Sequence, residues 1–314
     1  MRNSEETTVC FDRILVGVDF RPPGLSAARW AAAHFARARA IELAHVIPPP
    51  EPGLWARHLE ADALPQFTSA ARPSRHEALV GLASSLGPAP IATNVLVGQP
   101  ASRLTERARS FDADLVILGR STVDGVRGRT IERLVRQLEV PVLAVGCGEQ
   151  SLPVQVLAAI DTAAIGVAVV KWGLALAKHF GVKLTLLHVV PGAVDPGWER
   201  SMERWLKQLG GTGAVTAIVP SAAGVGAGIL EVAAARGAGL LIVGRSGGDA
   251  LGAAEIGTAT GIVLRRAQIP ILVVPKSDAL PRCAARQSTV LERSEGSEPG
   301  IVSIRAGASV RLPA

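Results

Sequence analysis

The sequence predicts an α/β fold: two tandem domains, each a five-stranded parallel sheet with helices on both faces. Two observations lead there. The chain repeats itself, with five blocks recurring in the same order in its two halves. The blocks are short and mostly apolar throughout, and longer segments with apolar residues at helical spacing separate them. Strands without a polar face are buried on both sides, which is how the strands of a helix-covered parallel sheet read.

In the first half, Arg13-Ile14-Leu15-Val16-Gly17-Val18-Asp19 opens the pattern as a strand over 13–19. A helix follows over Leu25–Arg39, carrying Trp30, and a second strand over 40–47 contains His45-Val46. From Pro48 to Pro73 the chain is punctuated by proline and reads as an irregular insertion, ahead of a helix near 74–86. Strands at 91–98, 113–119 and 140–145 complete the half. The last of them holds Pro141, a residue suited to a strand's first position.

The second half repeats this order. Its strands fall at 155–161, 183–190, 214–220, 239–244 and 269–275, with a helix over Ala163–Phe180. Asp161 stands where Asp19 stood, and a tryptophan lies eleven residues beyond each, Trp30 and Trp172. His188-Val189 matches His45-Val46, and Gly244-Arg245-Ser246 matches Gly119-Arg120-Ser121. Ile269-Pro270-Ile271 matches Val140-Pro141-Val142. A duplicated domain explains these matches. The boundaries fall at residues 11–147 and 153–276, joined by the Gly146–Pro153 linker. Residues 277–314, of mixed polar character, read as a flexible tail.

Composition narrows the function. Of 314 residues 48% are hydrophobic and 19% charged, so a sizeable core is expected. The net charge of +6 comes from scattered basic residues, with no Lys/Arg block interleaved with aromatics, which speaks against nucleic-acid binding. Three cysteines, Cys10, Cys147 and Cys283, have neither metal-ligand nor disulfide spacing and suit a reducing cytoplasm. Met1 to Thr8 are too polar for a signal peptide. Val154–Ala177 is apolar, but Asp161 and Lys171 interrupt it, and a strand followed by a helix accounts for it without a membrane.

One motif carries chemistry. Gly244-Arg245-Ser246-Gly247, nine residues, then Gly257-Thr258, follows an apolar strand and precedes a helix-like segment, Ala259–Ala267. Glycines let backbone N–H groups approach an anion, and a helix start offers unpaired donors and partial positive charge. A structural turn is the competing reading. Gly224-Val225-Gly226-Ala227-Gly228 imitates a dinucleotide fingerprint, but it follows the third strand of its half and reads as a turn opening a helix.

With the strand-ending Asp and the His-Val block, the glycine motif resembles the universal stress proteins over nearly all of residues 11–276. The resemblance implies Rossmann-like domains with strand order 3-2-1-4-5, many of whose relatives bind ATP. It places Asp161 and the backbone of Val189 at adenine. It places Gly244, Gly247, Gly257 and Thr258 around phosphate and ribose, with Arg245 and Thr260 close to the phosphates. Alternatives stand beside these roles: a helix cap for Asp161, a core strand end for Val189, solvent for Arg245 and a helix surface for Thr260. His188 reads as a packed strand-end histidine. No catalytic residue and no metal ligand is indicated, and Mg²⁺ would arrive on the nucleotide.

The first half departs from the motif. Thr122 replaces the second glycine, the gap to Gly128 is four residues shorter, and Arg129 replaces the hydroxyl residue. One ATP site, in the second half, is therefore expected, in a regulatory protein of stress adaptation. A weak ATPase or phosphoryl- or nucleotidyl-transfer enzyme is the alternative, and a nucleotide-independent interaction module the third reading. The fifth strands are expected to pair the halves as a pseudo-dimer, with homodimerisation a further step.

Overall fold

Ile14 to Gly17 and Leu115 to Leu118 are buried without interruption, so these strands lie inside a sheet covered on both faces. The structure, a computed structural model, describes residues 11–49, 63–87, 91–121, 129–147, 152–161, 164–190, 214–245 and 256–275, with single positions between 190 and 214. The first half runs β1 (Arg13–Gly17), α1 (Pro22–His34), β2 (Ala40–Ile47), α2 (Ala63–Ser85) and β3 (Ile91–Val97). It continues through α3 (Pro100–Ser110), β4 (Leu115–Gly119), α4 (Arg129–Gln137) and β5 (Val142–Val145). The second half runs β6 (Gln155–Ala159), α5 (Ala164–Phe180), β7 (Lys183–Val190) and β8 (Val215–Pro220). It ends with α6 (Val225–Ala235), β9 (Leu240–Gly244), α7 (Thr258–Arg266) and β10 (Ile271–Val274).

The strands form one ten-stranded sheet, ordered β3-β2-β1-β4-β5-β10-β9-β6-β7-β8. Read from either edge toward the middle, each half has the order 3-2-1-4-5 that the resemblance implies. Pairing is parallel within a half and antiparallel at the centre, where Leu143 faces Leu272. Helices α1, α2 and α5 cover one face, and α3, α4, α6 and α7 the other. Both apolar layers draw residues from both halves. Across the central junction, Phe11 stacks on Trp172 with ring centroids 5.5 Å apart. His179 Nε2 donates to the His34 carbonyl at 3.1 Å. Arg265 meets Glu132 at 3.4 Å, an exposed pair of small energetic weight.

Two elements differ from the sequence expectation. Helix α1 begins at Pro22, three residues early, because proline at a first helical position presets the backbone angle and gives up no internal bond. Helix α2 spans Ala63–Ser85, so the Pro73 stretch is helical and not irregular. Pro73 is exposed, so its ring lies on the outer side of the helix.

At the amino end of β4, Asp114 Oδ2 accepts from the backbone N–H groups of Asp12 (2.7 Å) and Arg13 (3.3 Å). Burial nevertheless pushes its carboxyl up to about 6, from 3.8. The folded state thus holds this proton more tightly than the unfolded chain does. The resulting stability is complete below about pH 4 and is lost as the pH rises through about 6, by at most about 3 kcal/mol. Asp114→Asn keeps an acceptor for both N–H groups but cannot titrate. Urea unfolding of this variant should show a flatter stability profile between pH 4 and 7 than the unsubstituted protein.

Candidate functional site

Strand β6 lies between β7 and β9, and the winding of the half reverses between β6 and β9. Open α/β sheets take ligands at the carboxyl ends of such strands. Asp161 follows β6 and is exposed there. Beside it the Ile160 N–H donates to the Leu187 carbonyl at 2.8 Å. His188 Nδ1 donates to the Ile160 carbonyl at 2.9 Å, just as His45 Nδ1 donates to Val18 at 2.7 Å in the first half. Both histidines thus tie neighbouring strand ends together. Burial holds the His45 imidazole below its usual pKa.

Val189 is 5% exposed, and its side chain belongs to the core. A Cβ on Gly228 would come within 2.8 Å of Val189 Cγ1, and one on Gly226 within 2.9 Å of Ile262 Cβ. The glycine run therefore lets α6 lie close to β7 and α7. Gly224, at φ +92°, supplies the turn into the helix. The decoy fingerprint is a packing device.

Gly244 ends β9, and its carbonyl accepts from Thr260 Oγ1 at 2.7 Å. Thr260 is buried, so it clasps the first turn of α7 to the strand end and is not on the helix surface. Gly257 is the N-cap of α7 and has no side chain to bond the helix's free N–H groups. Thr258, the first helical residue, is exposed, and the first turn holds no acidic residue. Among the described residues no side chain caps this nine-residue helix, and its start carries the N–H groups and partial positive charge that suit an anion. Gly247 lies outside the described residues.

Arg245 takes neither place considered for it, phosphate or solvent. Its side chain is 7% exposed and crosses to the first half. There Nη1 donates to the carbonyls of Leu138 (2.8 Å), Val135 (3.1 Å) and Arg136 (3.4 Å), and Nη2 meets Glu139 at 3.2 Å. The carboxyl end of α4 attracts it: unpaired carbonyls and the negative pole of the helix want a cation. The sequence signal for this role was available, since an arginine stands at the matching place in both halves.

In the first half the matching residues make the following contacts. Asp19 Oδ1 accepts from the Arg21 N–H at 3.0 Å, just before α1 begins. The backbone of Pro23-Gly24 packs so closely on Gly119 that any Cβ there would collide with it. Gly119 thus serves helix packing. Phe20, at φ +57°, meets the His45 ring at a tilt of 53° with centroids 4.8 Å apart, beneath Arg75. Residues 122–128 lie outside the described residues. Among the described residues, no cluster of three His, Cys, Asp or Glu could hold a metal, and no helix is long and apolar enough to cross a membrane.

Fold and strand-end architecture define a tandem pair of doubly wound α/β domains joined in one sheet. Residues 11–146 and 155–275 both match the universal stress protein family, and the chain belongs to that family. A universal stress protein from Archaeoglobus fulgidus superimposes with a TM-score of 0.64 at 17% identity, covering 85% of this chain and 97% of that one. A protein of unknown function from Pseudomonas aeruginosa gives 0.59 at 15% identity, covering 84% and 92%. A universal stress protein solved in complex with cAMP is 21% identical, at a TM-score of 0.34, covering 44% of this chain and 99% of that one. At these identities the first two likenesses concern the fold. No curated protein matches the chain.

Proposed function

We propose that the protein binds one ATP per chain, in its second half, as a regulatory universal stress protein of the cytoplasm. The observation that carries this reading is the start of α7 at Gly257 and Thr258, which no side chain among the described residues caps and which Thr260 holds to the end of β9. The phosphates would lie on that helix start, close to Gly244. Adenine would lie toward Asp161 and the backbone of Val189, with Gly247 entering on sequence alone. Arg245 is left out of the pocket because its guanidinium is committed to α4, and Thr260 is given a positioning role. Mg²⁺ would be carried chiefly by phosphate oxygens. The domain boundaries of this reading are 11–147 and 153–276.

In the first half the loop pattern is broken, with Thr122 and Arg129 standing in place of the second glycine and the hydroxyl residue. That half is proposed as a structural partner, with the central antiparallel pairing making the chain an intramolecular pseudo-dimer. Whole chains could pair further. Binding with at most slow hydrolysis is expected.

Calorimetric titration with ATP in the presence of Mg²⁺ should saturate at one nucleotide per chain. Saturation at two would overturn the assignment to the second half alone, and no binding would overturn the nucleotide reading itself. Phosphate release well above one turnover per minute would favour the enzyme alternative.

A further inference from the structure

Arg245 is the first residue past β9, and every partner of its guanidinium named above lies in the other half. Its backbone N–H donates to the Val274 carbonyl at 2.8 Å, and the preceding carbonyl, of Gly244, accepts from Thr260. A continuous hydrogen-bonded path therefore leads from the carboxyl end of α4, through Arg245 and Gly244, to the first turn of α7. That turn carries the donors assigned above to phosphate. The chain's repeat supplies a comparison. Arg120, at the matching place in the first half, is 4% exposed, and its Nη2 donates to the Ile269 carbonyl at 3.3 Å. Its Nε and Nη1 have no hydrogen-bond partner among the described residues. Where Glu139 pairs with Arg245, the matching residue of the second half is Gln268, which brings no charge. The duplicated arginine is thus a complete tie in one direction and an incomplete one in the other.

We infer that Arg245 is a positioning residue through which the first half controls the second half's anion-binding helix start. The order of α7 leans on α4, so a shift of α4 loosens the donors at Gly257 and Thr258. Conversely, an anion held by those donors stiffens the carboxyl end of α4. Reciprocity of this kind is required of any two sites that share a coupling free energy. Glu139 is largely exposed, so it adds little, and the three carbonyls at the end of α4 carry the tie.

This inference rests on the ATP reading for its ligand but not for its test. Amide hydrogen exchange is measured on the full-length, ligand-free protein and on Arg245→Met and Arg245→Lys. Exchange across residues 256–263 should quicken about tenfold in the Met variant and less in the Lys variant, which keeps a charge but not the fork of donors. Faster exchange confined to 133–140, with 256–263 unchanged, would overturn the coupling. If the Met variant does not fold, the Lys variant and the unsubstituted protein decide. In the unsubstituted protein, saturating ATP should slow exchange at 133–140 as well as at 256–263, and slowing at 256–263 alone would overturn the coupling. Calorimetry should show ATP bound about tenfold more weakly by the Met variant. If the unsubstituted protein binds no ATP, the nucleotide assignment falls, and the ligand-free exchange still decides whether Arg245 couples the halves.

Discussion

Gly257→Val should raise the dissociation constant for ATP at least about a hundredfold while the thermal unfolding midpoint hardly moves. Gly257 sits at φ −56° and ψ 146°, a conformation that valine adopts readily, so its backbone does not require glycine. The Gly261 N–H donates to the Gly257 carbonyl at 2.9 Å, and that bond survives the substitution. What valine changes is access. An isopropyl group at the N-cap stands where an anion must approach the free N–H groups of the first turn. Hydrogen bonds to charged groups contribute about 1.5–3 kcal/mol each. Losing two of them weakens binding by at least about 3 kcal/mol, a factor above one hundred. Isothermal calorimetry gives the constant, and differential scanning calorimetry gives the midpoint. A variant that still binds ATP normally would show that Gly257 serves the fold alone and would remove the central support of the proposed site.

This separation of roles was only partly visible in the sequence. The apolar runs and their repetition foretold the strands, and with the family resemblance they foretold the order in each half. The glycine spacing marked the end of β9 and the start of α7, because both are local backbone features. The direction of a side chain is a tertiary fact, and there the reading was weaker. Arg245 looked available to phosphate or solvent because its neighbours in sequence are loop residues. Its partners, Val135 to Glu139, lie more than a hundred positions away. Thr260 shows the same limit: the resemblance set it close to the phosphates, with the helix surface as the alternative, but only packing shows its hydroxyl turned back to Gly244. Pro73 misled differently: proline is disfavoured inside a helix, yet α2 runs through it with the ring exposed.

Trp172→Ala should cost about 3–5 kcal/mol, enough to consume much of the stability of a typical domain. Trp172 is 1% exposed on α5, and its ring stacks on Phe11. Phe11 in turn meets Phe35 edge-on, with centroids 4.8 Å apart. Both phenylalanines belong to the first half, so removing a second-half side chain opens a cavity lined from both sides of the junction. The apolar layer containing Trp172 runs from Ile14 through Leu143 to Leu272, and no boundary within it corresponds to the linker. The two halves should therefore melt together, in a single calorimetric transition displaced downward by about 6–20 °C in the variant. Trp30 faces Phe180 across the same junction at 6.1 Å, and Trp30→Ala should lower the same transition. Two resolved transitions, of which only one moved, would mean that the halves are thermodynamically separate. In that event the contacts at the centre of the sheet would be too weak to pass on a change at α4. The calorimetric result thus bears on the tie through Arg245 as well as on the core, because a path between two elements can transmit only what their common packing makes cooperative.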